Sequence, residues 1–411
     1  MGNPRSRARR SFMTWATVAA ATGFAAIVLV SVPGPVVGYI QFHASELMAP
    51  SGELTTAPFF DLPAVHEPGH AIDAQAGIRT QRYRMGASRP LPVIDMHLHA
   101  SLAASNGPPP LAMCTPAPVG QPWDPARESM SDFFLGWQKD PPCADPVWSP
   151  ETDEALRKET LEVLERLNVY GVTSGPASLV REWRGQNPER IIPALTLQLG
   201  AGEVPLDTLR AMHARGDLAV LGEVTTQYQG IHPAADALAR YWALAEELDI
   251  PVGIHVGTGP PGIVHMGFEG YRGSLHSALT MEEVLVRHPG LRVYLMHAGY
   301  PLLDHTLTLL YAHPQVYVDV GVIVFTQPRP GFYRFLQGLV DAGFGERILF
   351  GSDQMVWPGV IERSIVVIEE APFLTERQKR DILYHNAARF LRLSDEEIAR
   401  HHRGTAISHA R

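Results

Sequence analysis

Eight short runs of β-branched and apolar residues, alternating with segments of helical pattern, constrain this chain more than any other feature. The runs are Val93–His99, Val169–Thr173, Ile191–Leu199, Leu218–Thr225, Pro251–Val256, Leu291–His297, Val316–Val322 and Arg347–Gly351. Helical patterns cover Glu151–Asn168, Leu206–Arg215, Ala234–Leu248, Met281–Arg287, Leu302–Ala312, Gly331–Ala342 and Val360–Glu370. Strand, crossover helix and parallel strand, repeated in this way, fold most simply as an α/β protein of the (α/β)8 TIM-barrel type. The clearest helix start is that of Glu151–Asn168, with Ser149 as N-cap, Pro150 at the first helical position and acids in the first turn. A last helical stretch, Thr375–Leu393, closes the barrel from outside, and a polar tail follows over 394–411.

Composition narrows the class further. Of 411 residues, 45% are apolar and 19% charged, which excludes a disordered chain. A net charge of -9 argues against nucleic acid as a partner. Two cysteines form no C-x-x-C pattern, so any metal is held mainly by nitrogen and oxygen, and 18 histidines are available for that.

Residues 1–45 read as an export signal or transmembrane anchor. Arg5, Arg7, Arg9 and Arg10 are the charged residues before Glu46, and Met13–Val32 is apolar over 20 residues, long enough to cross a bilayer core. Arginines before this stretch place the body outside the cytoplasm, on the periplasmic side of the inner membrane, anchored or released by cleavage. Arg9-Arg10-Ser11-Phe12-Met13 resembles a twin-arginine export signal, with an ordinary Sec signal as the alternative. Residues 46–90 read as a tether, and 91–393 as the barrel.

One connection is too long for a barrel loop. The insertion 100–148 follows the first strand, is rich in proline and sits at the catalytic end, where it covers the site. It contains Cys114 and Cys143, which either form a bridge contributing on the order of 3 kcal/mol in an oxidising compartment or remain free thiols.

Two motifs match a pattern and fail on physics. His66-Glu67-Pro68-Gly69-His70 fits H-E-x-x-H, but Pro68 and Gly69 occupy the middle of the helical turn that zinc binding requires. Gly257-Thr258-Gly259-Pro260-Pro261-Gly262 fits G-x-G-x-x-G, but no helical pattern follows to present its N-terminus to a pyrophosphate.

The chemistry gathers at strand ends. In Asp95-Met96-His97-Leu98-His99, period-2 alternation turns both histidines to one face, about 6.6 Å apart. His255 closes the fifth strand, His297 the sixth and Asp353 the eighth. In a barrel every C-terminal strand end meets at one mouth, so these side chains converge. Three imidazoles and a carboxylate are a plausible zinc set, and zinc lowers the pKa of bound water to about 7.

This order and strand context resemble the amidohydrolase superfamily, specifically its amidohydrolase-related branch, which contains decarboxylases similar to aminocarboxymuconate semialdehyde decarboxylase. The resemblance runs from Val93 to Leu393 and includes Asn386-Ala387-Ala388-Arg389-Phe390. It implies that His97, His99, His255 and Asp353 hold a divalent metal, usually zinc. It implies that His297 transfers a proton, polarises the substrate or binds a second ion. Glu223 on the fourth strand either bridges two metals or is an inward, hydrogen-bonded carboxylate. Asp319, ending the seventh strand, orients a neighbour.

The reading is a metal-dependent hydrolase in which metal-bound hydroxide attacks an amide, ester or lactone carbonyl, with Asp353 taking the water proton. A non-oxidative decarboxylase on the same scaffold is the alternative, although no arginine aligns to hold the departing carboxylate; Arg127 lies in the insertion. A metal-binding but inactive envelope module is the other. The partner is a small molecule, with the membrane met through the N-terminal segment and oligomerisation left open. His265, Tyr271, Arg272 and His276 after strand five, and Gln354, Met355 and Trp357 after strand eight, are candidates to line the substrate pocket.

Overall fold

A computed structural model describes residues 90–200 and 203–403. The export segment, nearly all of the tether and the His66–His70 motif lie outside them, and no helix of the described residues is long and apolar enough to cross a membrane.

The eight strands form one parallel sheet in chain order: β1 Val93–His99, β2 Val169–Ser174, β3 Ile191–Leu197, β4 Val220–Val224, β5 Val252–His255, β6 Val293–Met296, β7 Val316–Asp319 and β8 Ile348–Leu349. Between β1 and the chain leaving β8, Met96 N donates to Phe350 O (2.8 Å) and Asp353 N to His97 O (2.7 Å), which brings the last strand back onto the first. Pleating divides the side chains. One parity fills the lumen with Ile94, Met96, Tyr170, Val172, Val220, Tyr294, Met296 and Leu349. The other, including Val169, Leu195, Leu221, Leu295 and Val318, packs under the helices. The Tyr294 hydroxyl reaches across the lumen to donate to Met96 O at 3.0 Å. A Cβ on Gly253 would lie 2.5 Å from that phenol, so β5 carries no side chain there.

Two strands depart from even register. β1 holds one extra residue between Asp95 and Leu98 relative to β2, and β4 holds one between Leu221 and Val224 relative to both neighbours. An extra residue in one strand reverses the inward parity beyond it.

The helices follow the sequence with shifted ends. The helix over Asp153–Arg166 is capped by Thr152, whose Oγ1 accepts from Ala155 N, and not by Ser149. Ser149 Oγ accepts from Leu111 N instead and ties the two ends of the insertion together. Ala177–Gln186 and Met130–Lys139 are helices that the apolar pattern did not mark. The polar tail is not unstructured: Asp395–Arg403 is a helix whose His401 is buried, stacked at 3.6 Å on Tyr170 near the start of β2 and bonded to the Tyr384 hydroxyl. Its charged residues face solvent while one histidine plugs the end of the barrel opposite the strand C-termini.

The insertion is a stapled excursion. Ala112–Met113 pairs antiparallel with Val147–Trp148, and Cys114 and Cys143, 29 residues apart, are disulfide-bonded. Trp357, just beyond the end of β8, donates its indole N–H to Leu111 O at 2.9 Å and holds the insertion down on the barrel.

Because Tyr294 is fixed by its bond to Met96, the lumen cannot absorb an added methyl beside it. Gly253→Ala is expected to lower stability by about 1–3 kcal/mol, read as a fall in the denaturant midpoint without a change in slope.

Candidate metal centre

The mouth of the barrel is built by two bulges and two left-handed residues. In β1 the extra residue lets Met96 remain in the lumen while His97 and His99 both turn to the mouth. The buried Asp95 instead accepts on one oxygen from His97 N and Ser352 N, lacing β1 to the chain beyond β8. Burial pushes the Asp95 carboxyl up to about 7. In β4 the bulge does the same for Glu223. His255 is the last residue of β5. His297 and Asp353 lie past the ends of their strands, at φ 65° and 55°, in a region that non-glycine residues occupy at a cost of about 1–3 kcal/mol.

Glu223 is the hub. Its Oε2 lies 3.9 Å from His97 Nε2 and 3.7 Å from His99 Nε2; its Oε1 lies 4.0 Å from His255 Nε2 and 3.8 Å from His297 Nε2. The two oxygens thus face different histidine pairs. Asp353 Oδ1 joins the first pair, 2.9 Å from His99 Nε2 and 3.7 Å from His97 Nε2. The resemblance places His255 with His97, His99 and Asp353; its ring lies 4.4 Å from that of His297.

Every Nδ1 atom rests on an acceptor. His97 donates to Asp319 Oδ2 (3.1 Å), and Asp319 Oδ1 in turn accepts from His297 N and Gly321 N. His297 donates to Gly321 O (2.8 Å). His255 donates to Gln227 Oε1 (3.0 Å), whose amide orientation is fixed because the same oxygen accepts from Gly257 N and its nitrogen donates to Gly257 O. His99 donates to Ser174 Oγ (3.1 Å), whose own proton goes to Leu98 O. Asp319 therefore orients two neighbours, as its position at the end of β7 suggests. Gly321 has no space for more: a Cβ there would stand 2.6 Å from His97 Nδ1.

These partners dictate the tautomers. With each Nδ1 protonated, neutral imidazoles aim Nε2 lone pairs at carboxylate oxygens, and a buried lone pair facing a lone pair requires a proton or a metal ion between them. His97 Nε2 is buried with no hydrogen-bond partner. The separations of 3.7–4.0 Å exceed a hydrogen bond and fall within the span of two ligands about 2.0–2.2 Å from one ion. His97, His99 and Glu223 form one group able to hold a metal, and Glu223, His255 and His297 another.

The field agrees. Burial alone would lower the His97 pKa, but Asp353 and Asp319 outweigh it and hold the pKa well above the usual imidazole value. Burial opposes a charge on His297 too, yet Glu223 raises its pKa. Burial and the neighbouring His297 drive His255 down to about 3, leaving it neutral. Against the burial that raises both, His297 and His97 hold Glu223 well below the usual carboxylate range, and His97 and His99 lower Asp353.

The loop candidates separate. Trp357 is 1% exposed and spends its N–H on the insertion. Arg272 is exposed, and its guanidinium donates to Glu269 O and Tyr271 O of its own loop. His265 is exposed, with its ring 5.0 Å from that of Trp123 in the insertion. Tyr271 is buried and braces the β5 loop, donating to Gly257 O and accepting from Gly259 N, with its hydroxyl 2.6 Å from His276 Nε2. Gln354 clamps His99 through both its backbone groups, and Met355 meets Asn106 of the insertion. Tyr228, which the strand pattern does not reveal, lies with its ring 4.7 Å from that of His255.

Solved structures similar to the chain include an uncharacterised TIM-barrel protein from Bordetella bronchiseptica, 16% identical over 75% of this chain and 100% of that one, TM-score 0.49. Others are a probable 2-pyrone-4,6-dicarboxylic acid hydrolase from Acinetobacter baumannii (14% identity, 73% and 99% covered, TM-score 0.48) and 5-carboxyvanillate decarboxylase from Sphingomonas paucimobilis (13%, 74% and 100%, TM-score 0.46). No curated protein matches the chain. The family model described as Amidohydrolase matches residues 94–393, the whole barrel from β1 to the closing helix, and the chain belongs to that family.

Proposed function

We propose that this protein is a metal-dependent hydrolase holding two divalent ions, one on His97, His99 and Asp353 and one on His255 and His297, with Glu223 shared between them. The observation that carries the reading is that Glu223 offers one oxygen to each histidine pair. Imidazole nitrogen and carboxylate oxygen suit zinc. Bound ions would supply Lewis acidity and a water acidified towards neutral pH. The chain supplies the rest. Asp353, kept ionised by His97 and His99, takes the proton released as water adds to an amide, ester or lactone carbonyl, and returns it to the departing amine or alkoxide. His297, whose Nδ1 proton is committed to Gly321 O, acts here as a ligand and not as the proton carrier. The disulfide supports an oxidising, extracytoplasmic location.

Elemental analysis of folded protein is expected to find two divalent ions per chain, and Glu223→Gln one or fewer; less than one ion in the parent would overturn the reading. Asp353→Asn is expected to lower kcat by about 10²–10⁴-fold, and full turnover would remove it as proton acceptor. Gln227→Ala frees His255 to rotate and should weaken ion binding by about 10–100-fold in a competitive chelator titration, with the fold intact by circular dichroism.

Hydrolysis is favoured over decarboxylation because Arg127 is paired with Asp124 at 3.2 Å on an 82% exposed side chain, and is not directed to the centre. A screen of lactones, N-acyl compounds, esters and aromatic carboxylic acids is expected to give hydrolysis; carbon dioxide release without it would reverse the assignment.

A further inference from the structure

Two phenols stand beside the second histidine pair, and their hydroxyls are used differently. Tyr228 lies in the single helical turn Thr226–Gln229 just beyond β4, with its ring 4.7 Å from that of His255. The rings of Phe268 (5.4 Å) and Tyr271 (5.6 Å) hold it from the loop after β5. Tyr271 commits its oxygen to that loop, donating to Gly257 O and accepting from Gly259 N. Tyr228 is half-buried, and its hydroxyl makes no hydrogen bond to a described residue. A Cβ on Gly259 would stand 3.3 Å from the Tyr228 oxygen, so the loop passes the phenol without a side chain to cover it. Burial, and then the charges of Glu223 and Asp353, hold the phenol proton more tightly than usual, which puts the oxygen within the field of both carboxylates. No other charged donor competes for this place: among the described residues, the ion pairs of Glu223, Asp319 and Asp353 are all with histidines.

We propose that Tyr228 is a further catalytic residue of this centre, its hydroxyl donating to the oxygen of the reacting carbonyl. The proposal rests on the hydrolase reading and deepens it. As water adds to the carbonyl carbon, the π pair moves onto the carbonyl oxygen while Asp353 takes the water proton. A fixed donor aimed at that oxygen binds it more strongly as its charge grows, and so favours the adduct over the substrate. The phenol keeps its own proton throughout, because a tyrosine hydroxyl is protonated at neutral pH without any help. When the carbonyl re-forms and the amine or alkoxide departs with the proton from Asp353, the hydroxyl is again a donor to a neutral oxygen. The stacked ring supplies the rigidity this requires, since His255 on β5 and the loop beyond it both bear on the phenol.

Calorimetric binding of methylphosphonate, a tetrahedral anion that is not turned over, to the zinc-loaded full chain tests this. Tyr228→Phe removes the oxygen and leaves the ring against His255 and Phe268. The variant is expected to keep the parent's ion content by elemental analysis and its thermal midpoint, and to bind methylphosphonate about 10–100-fold more weakly. Unchanged phosphonate affinity in the variant would overturn the donor role while the hydrolase reading stands. Loss of an ion from the variant would overturn it too, by making the phenol a support for His255 and not a group that meets substrate. An ion-loaded parent that binds no methylphosphonate would overturn both, and a parent that takes up no zinc would overturn the hydrolase reading and this proposal with it.

Discussion

A carboxylate surrounded by imidazole lone pairs cannot stay buried without a metal ion or added protons, and the mouth of this barrel is organised around that constraint. Glu223 is 7% exposed and faces four Nε2 atoms. Desolvating it costs several kcal/mol, which only opposite charge and fixed hydrogen bonds can offset. Were the histidines free to choose tautomers, neutral rings could turn N–H donors on Glu223 and satisfy its lone pairs with no ion at all. Asp319, Gln227, Ser174 and Gly321 O prevent this by claiming each Nδ1 proton. The outer residues thus convert four common side chains into ligands, and they do so with hydrogen bonds from three different parts of the ring.

Such convergence needs a backbone that departs from regular strands. A barrel strand alternates inward and outward side chains, so a regular β1 would place Met96 outside whenever His97 pointed to the mouth. The bulge in β1 satisfies both demands, with Met96 filling the lumen and His97 above it; the bulge in β4 does likewise for Val220 and Glu223. At β6 and β8 the same end is reached through left-handed residues past the strand. The regular lumen below, locked by Tyr294 and closed at the bottom by His401, is the rigid body against which these local costs are held.

That division explains what the sequence revealed. Strand existence and order follow from β-branched runs and period-2 burial, so β1 to β8 and the convergence of His97, His99, Glu223, His255, His297 and Asp353 were legible. The pairing within the cluster was not, because alternation is blind to a one-residue bulge and cannot say which oxygen of Glu223 meets which ring. Gln227 and Ser174 were invisible for another reason: an amide four residues past Glu223 and a serine ending β2 carry no signal until β5 and β1 are beside them in space. Trp357 shows that proximity to Asp353 in sequence says nothing of direction, for its indole turns to the insertion. The helix Asp395–Arg403 looks like a tail because only His401 on it is buried.

The centre itself carries little information about which substrate it takes. Imidazoles and carboxylates at strand ends determine that a carbonyl can be attacked, but any carbonyl able to reach them satisfies that geometry, so discrimination must come from groups that meet the remainder of the molecule. The two segments least bound by barrel geometry are the glycine-rich loop after β5 and the insertion after β1. A loose cover would adapt to many ligands and select weakly among them. The Cys114–Cys143 staple and the Trp357 anchor remove that freedom, fixing the insertion that carries Trp123 and Met130 against the loop that carries His265 and Phe268. A cover preorganised in this way loses less conformational entropy on binding, and so can turn modest contacts into a preference among ligands.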